Sequence, residues 1–398
     1  MRNTVKNRKK AKKQNPFYDA SLRKRHLIAK VFKQFTFTSL IFSIAFLGFF
    51  LFDILSKGTP AFKIAYVKVE LTFNEKSMED ARFAVPSEYR NIVSRAWLRD
   101  IPKLVNENPN YLNSNQTLWV LASSQVDQYL KKHNNNLKDK DKEFVDELVK
   151  QGLIEKKFNA IFFTNGDSKI PEYAGIFSAI VGSILTLGIT MIVAFPIGVM
   201  TAIYLEEFAN DNKFTRFIEI NINNLAAIPS ILFGLLGLSI FINLFGMPRS
   251  SPIVGGLTLA LMTLPIIIVS SRAALRAVPQ SIRQAGYGIG LNKIQVTKDH
   301  VLPLAFPGIS TGTIIGLAQA MGETAPLIII GMIAFIPDAP TMITQAATVM
   351  PAQIFTWASM PEGMYIEKTA AGIIVLLGIL ISLNTAAIIL RKKLEVKW

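Results

Sequence analysis

The sequence predicts an all-α polytopic membrane protein with about six transmembrane helices and a small α+β extracytoplasmic domain inserted after the first of them. Three observations predict it. Half of the 398 residues are hydrophobic and 18% are charged, giving a mean hydropathy of +0.33, which is high for a soluble protein. Apolar runs of about twenty residues, the length that crosses ~30 Å of hydrocarbon, recur along the chain. One segment, 57–172, interrupts them with dense and nearly balanced charge and no run that could span a bilayer.

The formal charge of +15 is unevenly placed. Residues 1–34 carry twelve Lys/Arg against Asp19 alone, so +11 of it sits in one basic tail. Such a tail ahead of a first span is a positive-inside signal and can rest on anionic lipid, and it argues against nucleic acid as a partner. Cysteine is absent, which excludes disulfides, thiolate metal sites and cysteine nucleophiles. His26, His133 and His300 are too scattered to suggest a ligand cluster. No GxxxxGK[S/T] segment occurs, so the chain has no phosphate-cradling loop for ATP of its own.

The first apolar run is 35–55, interrupted near its end by Asp53 and followed by Lys57. Its length and its long basic leader favour a retained helix over a cleaved signal peptide. In 57–172, the stretch 63–74 alternates, with Val67, Val69, Leu71 and Phe73 on one face and Lys68, Glu70 and Thr72 on the other, which predicts a half-buried strand. Segments 86–101 and 116–132 read as amphipathic helices, 134–136 as a turn, and 158–163 as a second strand. No catalytic constellation lies in this domain, which reads as a spacer or docking module. Five further spans are expected at 175–205, 225–245, 252–271, 307–335 and 369–390, the last five forming the domain 173–398. With the basic tail inside, six crossings put 57–172 outside and the C-terminus inside. The short loops agree: 272–305 carries five Lys/Arg and 391–398 carries four, whereas 247–251 has only Arg249. Pro196, Pro265, Pro326 and the pair Gly234/Gly237 fall within spans, where neighbouring helices can satisfy the freed backbone and small residues allow close packing.

The loop 272–305 is longer than a connector needs to be. Residues 278–289, beginning at Val278 and Pro279 and passing through Arg283, can form a short amphipathic helix, and Gly290 can end it by taking the left-handed conformation. Gln284-Ala285-Gly286 is followed after three residues by Gly290, and twelve more precede Pro303. This spacing resembles the EAA loop of ABC importer permeases, with Leu302-Pro303 as its hydrophobic-x-Leu-Pro end. The resemblance implies a helix that lies in a cleft of a separate ATPase subunit and transmits its closure. Gln284 stands where the family usually has Glu, and His300 where it usually has an apolar residue, so the resemblance implies steric coupling more than an ion pair.

The likeness extends over about 173–398. Ala179 to Ser183 (AIVGS), Pro196 to Val199 (PIGV), Tyr204 to Phe208 (YLEEF), Pro229 to Leu235 (PSILFGL), Gly255 to Pro265 (GGLTLALMTLP), Gly322 to Leu327 (GETAPL) and Gln353 to Ala358 (QIFTWA) follow one another. In this order they resemble the A-type permease subunits of phosphate-specific ABC importers. An ionisable group within a membrane helix is a functional candidate by default, and Glu323 is one. Gln319 lies one turn earlier, where many family members carry Arg. Without that partner, Glu323 could pair with a basic residue of a second permease, be protonated, or serve as a helix–helix hydrogen-bonding group. Gln319, Glu323 and Thr324 are the expected lining of a translocation path. The Thr324 hydroxyl could reach a phosphate oxygen or bond back to its own helix.

The resemblance implies a non-enzymatic permease of the bacterial inner membrane that moves inorganic phosphate inward. Its expected partners are a second permease, an ATPase dimer holding ATP and Mg, and an extracytoplasmic phosphate-binding protein; no cofactor or metal is expected on this chain. Alternatives are a permease for molybdate, sulfate or phosphonate, and a membrane-anchored sensor. The sensor reading requires an output domain, and neither the basic tail nor the residues after the last span could bury one.

Overall fold

The computed structural model describes residues 20–333 and 335–394. Most of the basic tail (1–19) and the end of the C-terminal tail (395–398) lie outside the described residues. The chain divides into two units, 1–54 and 55–398.

The described residues of the first unit are most of one helix, α1 (Ala20–Gly58), whose 39 residues contain the expected first span. Phe35, Ile41 and Leu47 lie about a third of a turn apart around it, and each is more than half exposed. Apolar residues on every face of a helix mark a surface that meets lipid or other protein rather than water. Thr38, Ser39 and Ser43 turn their hydroxyls back onto carbonyls four residues earlier, so none needs a water partner.

The second unit starts with a three-stranded antiparallel sheet in the order β2-β1-β3. Its strands are β1 (Lys63–Phe73), β2 (Ser114–Leu121) and β3 (Ile154–Phe158). Val67 pairs with Val120 on one side and Ile154 on the other. As the alternation predicts, Val67, Val69, Leu71 and Phe73 are buried, packing against α2 (Ser124–Leu130) and α3 (Asp139–Lys150).

Three local expectations fail here. The segment 116–132 is not one helix: 116–121 belongs to β2, because Thr117, Trp119 and their neighbours complete the ladder on β1, and only Ser124–Leu130 is helical. The segment 86–101 is broken at Val93 and Ser94, where Val93 bridges to Ala122 and the Ser94 hydroxyl caps a new turn, Arg95–Arg99. The expected strand 158–163 ends at Phe158, because the Asn159 side chain accepts from the Phe162 N–H and starts α4 (Ala160–Thr164).

Most of the rest is helical, apart from the described residues between Ile329 and Met350, which are irregular. α5 (Phe177–Ile203) runs into a wide, π-helical turn, Tyr204–Phe208. α6 (Lys213–Leu225) and α7 (Ser230–Gly237) are bent by 103° across Pro229, and α7 continues as a second wide turn, Leu238–Leu244. α8 (Pro252–Arg276), α9 (Gln280–Gly288), α10 (Leu302–Gly322), α11 (Ala325–Ile329), α12 (Met350–Ala358) and α13 (Gly363–Leu394) follow. Among the described residues, five helices are long and apolar enough to cross a membrane, or six if the bent pair forms one span. α5 and α8 cross on small residues: the Thr190 hydroxyl is shared between the Thr186 and Gly256 carbonyls, and a Cβ on Gly256 would meet Ile189 at 2.6 Å.

Two expected spans are corrected. The helix expected at 225–245 starts only at Ser230, since Pro229 lacks the N–H to continue α6. The span expected at 307–335 stops at Gly322. Pro326 would clash with the Gly322 carbonyl in a continuous helix; instead Glu323 adopts φ −75° and ψ 123°, and Pro326 occupies the second position of α11, where its missing N–H is harmless.

The sheet-bearing domain is tied to the beginning of α13. The Glu367 carboxylate accepts from Gln128 Nε2 at 2.7 Å and from Lys131 Nζ at 2.9 Å, and lies 2.6 Å from His133 Nδ1. Lys131 also pairs with the buried Asp127 at 2.6 Å. Nearby, Trp357 Nε1 donates to Asp167 and the Tyr365 hydroxyl to the Ser168 carbonyl. An apolar cluster of Ala61, Phe162, Ile176, Met350 and Trp357 lies beneath these bonds.

Candidate functional site

The loop singled out in the sequence is a compact structure. α9 is shorter than 278–289 at both ends, beginning after Pro279, whose fixed φ suits the start of a helix. Val278 is buried with Leu275, Val296, Val301 and Ala305. Gly290 has φ +88°, the left-handed conformation expected of it. The N–H of Gly290 bonds to Tyr287 O and that of Leu291 to Gly286 O, which satisfies the carbonyls at the end of α9.

After the turn, Asn292 and Gln295 cap each other reciprocally and the chain is helical again from Lys293. The return therefore starts nine residues before Leu302 rather than at Leu302-Pro303. Pro303 is accommodated because the preceding turn, Val296–Val301, is wide and moves its carbonyls away from the pyrrolidine ring. Gly286 sits flush on this return helix, where a Cβ would lie 2.8 Å from Val296 Cγ2. Gln284 and Ala285 are exposed. Ile282, Ala285, Gly286, Ile289, His300 and Pro303 line an open groove of about 400 Å³ along this face.

Arg283 is buried beneath α9. Its Nη2 lies 2.6 Å from Glu207 Oε1 and donates to Leu275 O at 3.0 Å, while Nη1 donates to Val278 O at 2.8 Å. Alongside, Glu206 accepts from Arg276 at 2.8 Å and Arg272 at 3.4 Å, and Arg272 reaches Glu219 at 2.5 Å. Sequence reasoning named Arg283 but missed Glu206, Glu207, Glu219, Arg272 and Arg276 as one cluster. The available signal was two adjacent carboxylates just after one span facing three arginines in and after another.

The second candidate group lies at the far end of α10, about 25 Å from Leu302 at 1.5 Å per residue. The structure does not bring it to the loop. Gln319 is exposed on the last turn of α10, and Glu323 and Thr324 are half-buried at the break before α11. Glu323 thus caps a helix rather than standing in its interior. Among the described residues, the side chains of Gln319, Glu323 and Thr324 form no hydrogen bond or ion pair. The break is held in place by the close approach of α7, where a Cβ on Gly234 would meet Pro326 Cα at 2.7 Å.

Residues 194–397, just over half of the chain, match the family described as binding-protein-dependent transport system inner membrane component. The chain belongs to this family. It is a permease of the ABC importer kind, a membrane subunit rather than an enzyme. The phosphate transport system permease protein PstA 1 of Mycobacterium tuberculosis is 29% identical over 224 residues, 56% of this permease and 73% of that protein. PstA of Yersinia pestis is 31% identical over 223 residues, 55% of this permease and 73% of that protein. Among solved structures, the MetNI methionine ABC transporter in an inward-facing conformation aligns with a TM-score of 0.44 at 16% identity, over 55% of this permease and 97% of that chain. Residues 19–88, which include β1, match a second family, described as a domain of unknown function (DUF3333).

Proposed function

We propose that this permease moves inorganic phosphate across the inner membrane, as one of two permease subunits driven by a separate ATPase dimer. The relatives named as phosphate transport permeases support the cargo. The observation that carries the coupling is α9 itself: a short helix fixed to the bundle by Arg283 while Gln284 and Ala285 face outward beside an open groove. In this reading the ATPase, with its ATP and Mg, receives α9. The loop 272–305, the basic tail and both termini are cytoplasmic, and the sheet-bearing domain lies outside with the phosphate-binding protein. Gln319, Glu323 and Thr324 line the path where the two permeases meet. The broken end of α10 suits that role, because irregular backbone at membrane depth is tolerated where it is packed by protein or lines a cavity.

The test is reconstitution. Co-expressed with its chromosomal neighbours, the permease should copurify with an ATPase, a second permease and a phosphate-binding protein, and vesicles of that complex should take up radiolabelled phosphate when ATP is supplied. Uptake of molybdate, sulfate or a phosphonate in place of phosphate would reassign the cargo and leave the architecture intact.

A further inference from the structure

The charged cluster under α9 links elements that meet at one end of the helical bundle. One guanidinium, that of Arg283, holds three of them: the wide turn ending α5 through Glu207, the last turn of α8 through Leu275 O, and the approach to α9 through Val278 O. The Leu275 carbonyl is one of the four that a helix C-terminus leaves without an intrahelical donor, so Arg283 also serves as a cap for α8. Side-chain exposure is 10% for Arg283 and 5% for Glu207, so the pair is shielded from water and salt. Adjacent residues on a regular helix point about 100° apart. The wide turn Tyr204–Phe208 nevertheless has both its carboxylates engaged, Glu206 with Arg272 and Arg276 on α8 and Glu207 with Arg283 on α9. α9 is otherwise held by the Leu291 N–H on Gly286 O and by apolar packing of Ile282 and Gly286, the latter against Val296, and apolar contact resists compression but can slide.

We infer that the Arg283–Glu207 pair is the joint that converts displacement of α9 into movement of α5 and α8. The inference rests on the reading of α9 as the ATPase-receiving helix. Pushing α9 loads a directional, multidentate contact at its centre, and that contact is anchored at the ends of two membrane helices. Glu207 and Arg283 are positioning residues: neither touches the transported ion, and their effect appears in how much transport each ATP yields.

The experiment compares wild type, Glu207→Gln, Glu207→Asp and Arg283→Lys in the assembled complex in proteoliposomes, measuring ATPase content, ATP hydrolysis and phosphate import together. Glu207→Gln keeps the shape and removes the charge. It is expected to retain the ATPase at wild-type stoichiometry and to hydrolyse ATP, with import per ATP falling at least tenfold. Glu207→Asp, which restores the charge, should recover part of that ratio, and Arg283→Lys, which loses the fork, should not. A wild-type import-to-hydrolysis ratio in Glu207→Gln or in Arg283→Lys overturns the inference. If Glu207→Gln fails to assemble, the Arg283→Lys ratio decides. Failure of the underlying reading looks different: with Glu207 and Arg283 left intact, a cross-linker placed at Ala285→Cys would capture no ATPase.

Discussion

His133 Nδ1 and the Glu367 carboxylate lie 2.6 Å apart, so a residue beyond the sheet touches the first turns of the last membrane helix. Glu367 also accepts from Gln128 and Lys131, and its side chain is only 4% exposed. Replacing Glu367 by Ala leaves Lys131 with Asp127 alone in a buried site. Leaving a buried charge with no partner costs about 3–5 kcal/mol, and because Asp127 still pairs with Lys131 the loss here should fall below that range. The expected result is a drop in melting temperature and rapid proteolysis around 131–138, with Glu367→Gln losing less. Unchanged proteolysis of Glu367→Ala would remove this contact as a tie between the domain and α13.

The same junction leads to a prediction about pH. Burial raises the Asp127 carboxyl above its ordinary value, against the opposing pull of Lys131, and burial likewise raises Asp167 and Glu172. An acid whose folded pKa is raised contributes stability that is fully present below its unfolded pKa, about 4, and is lost as pH rises through the folded value. For these three groups the melting temperature should therefore decline from acid toward neutral pH. Asp127→Asn, which can still accept from the Ala65 N–H, should flatten that slope. A slope identical to wild type would show that Asp127 does not contribute to it.

Gly286 leaves no room for a side chain against Val296. Gly286→Val should overpack the contact at about 1–3 kcal/mol. Shortening the opposing residue in Gly286→Val/Val296→Ala should return part of that loss. Thermal unfolding in detergent reads both, and equal melting points for the single and double variants would count against a direct clash.

Gly288 and Gly290 make a matched pair. Gly288 ends α9 with open space around its Cα, whereas Gly290 has φ +88°. Gly288→Ala should be neutral or stabilising by up to about 1 kcal/mol, and Gly290→Ala should destabilise by about 1–2 kcal/mol. A reversal of that order would mean that the loop adopts another conformation in the folded protein.

Glu323→Gln and Glu323→Ala address the proposed path. Both are expected to assemble normally, and phosphate uptake should fall at least tenfold in the alanine variant. Wild-type uptake by both variants in an assembled importer would exclude Glu323 from the path.

The apolar runs, the alternating strand β1 and the left-handed Gly290 were legible because each depends on a local period or a single residue's conformational freedom. The second strand was not. Residues 116–121 carry no pattern of their own strong enough to choose sheet over helix, and pairing with β1 decides it. The break at Glu323 was written in Pro326, which membrane helices can tolerate as a kink; here α7 packs against that proline and the chain stops and restarts. The arginine–glutamate cluster was least legible, since its members come from segments 206–219 and 272–283 that meet only in the folded chain.

The three wide turns, Tyr204–Phe208, Leu238–Leu244 and Val296–Val301, are short stretches of slack. Each holds more chain than a regular turn needs. Passing one surplus residue along its helix exchanges a few hydrogen bonds and swivels the intervening segment by about 100°. A long rod that carries such spare length can twist between fixed ends without snapping. Two of the three turns touch α9, Tyr204–Phe208 through Glu207 and Val296–Val301 through Val296, so spare length lies on both sides of that helix.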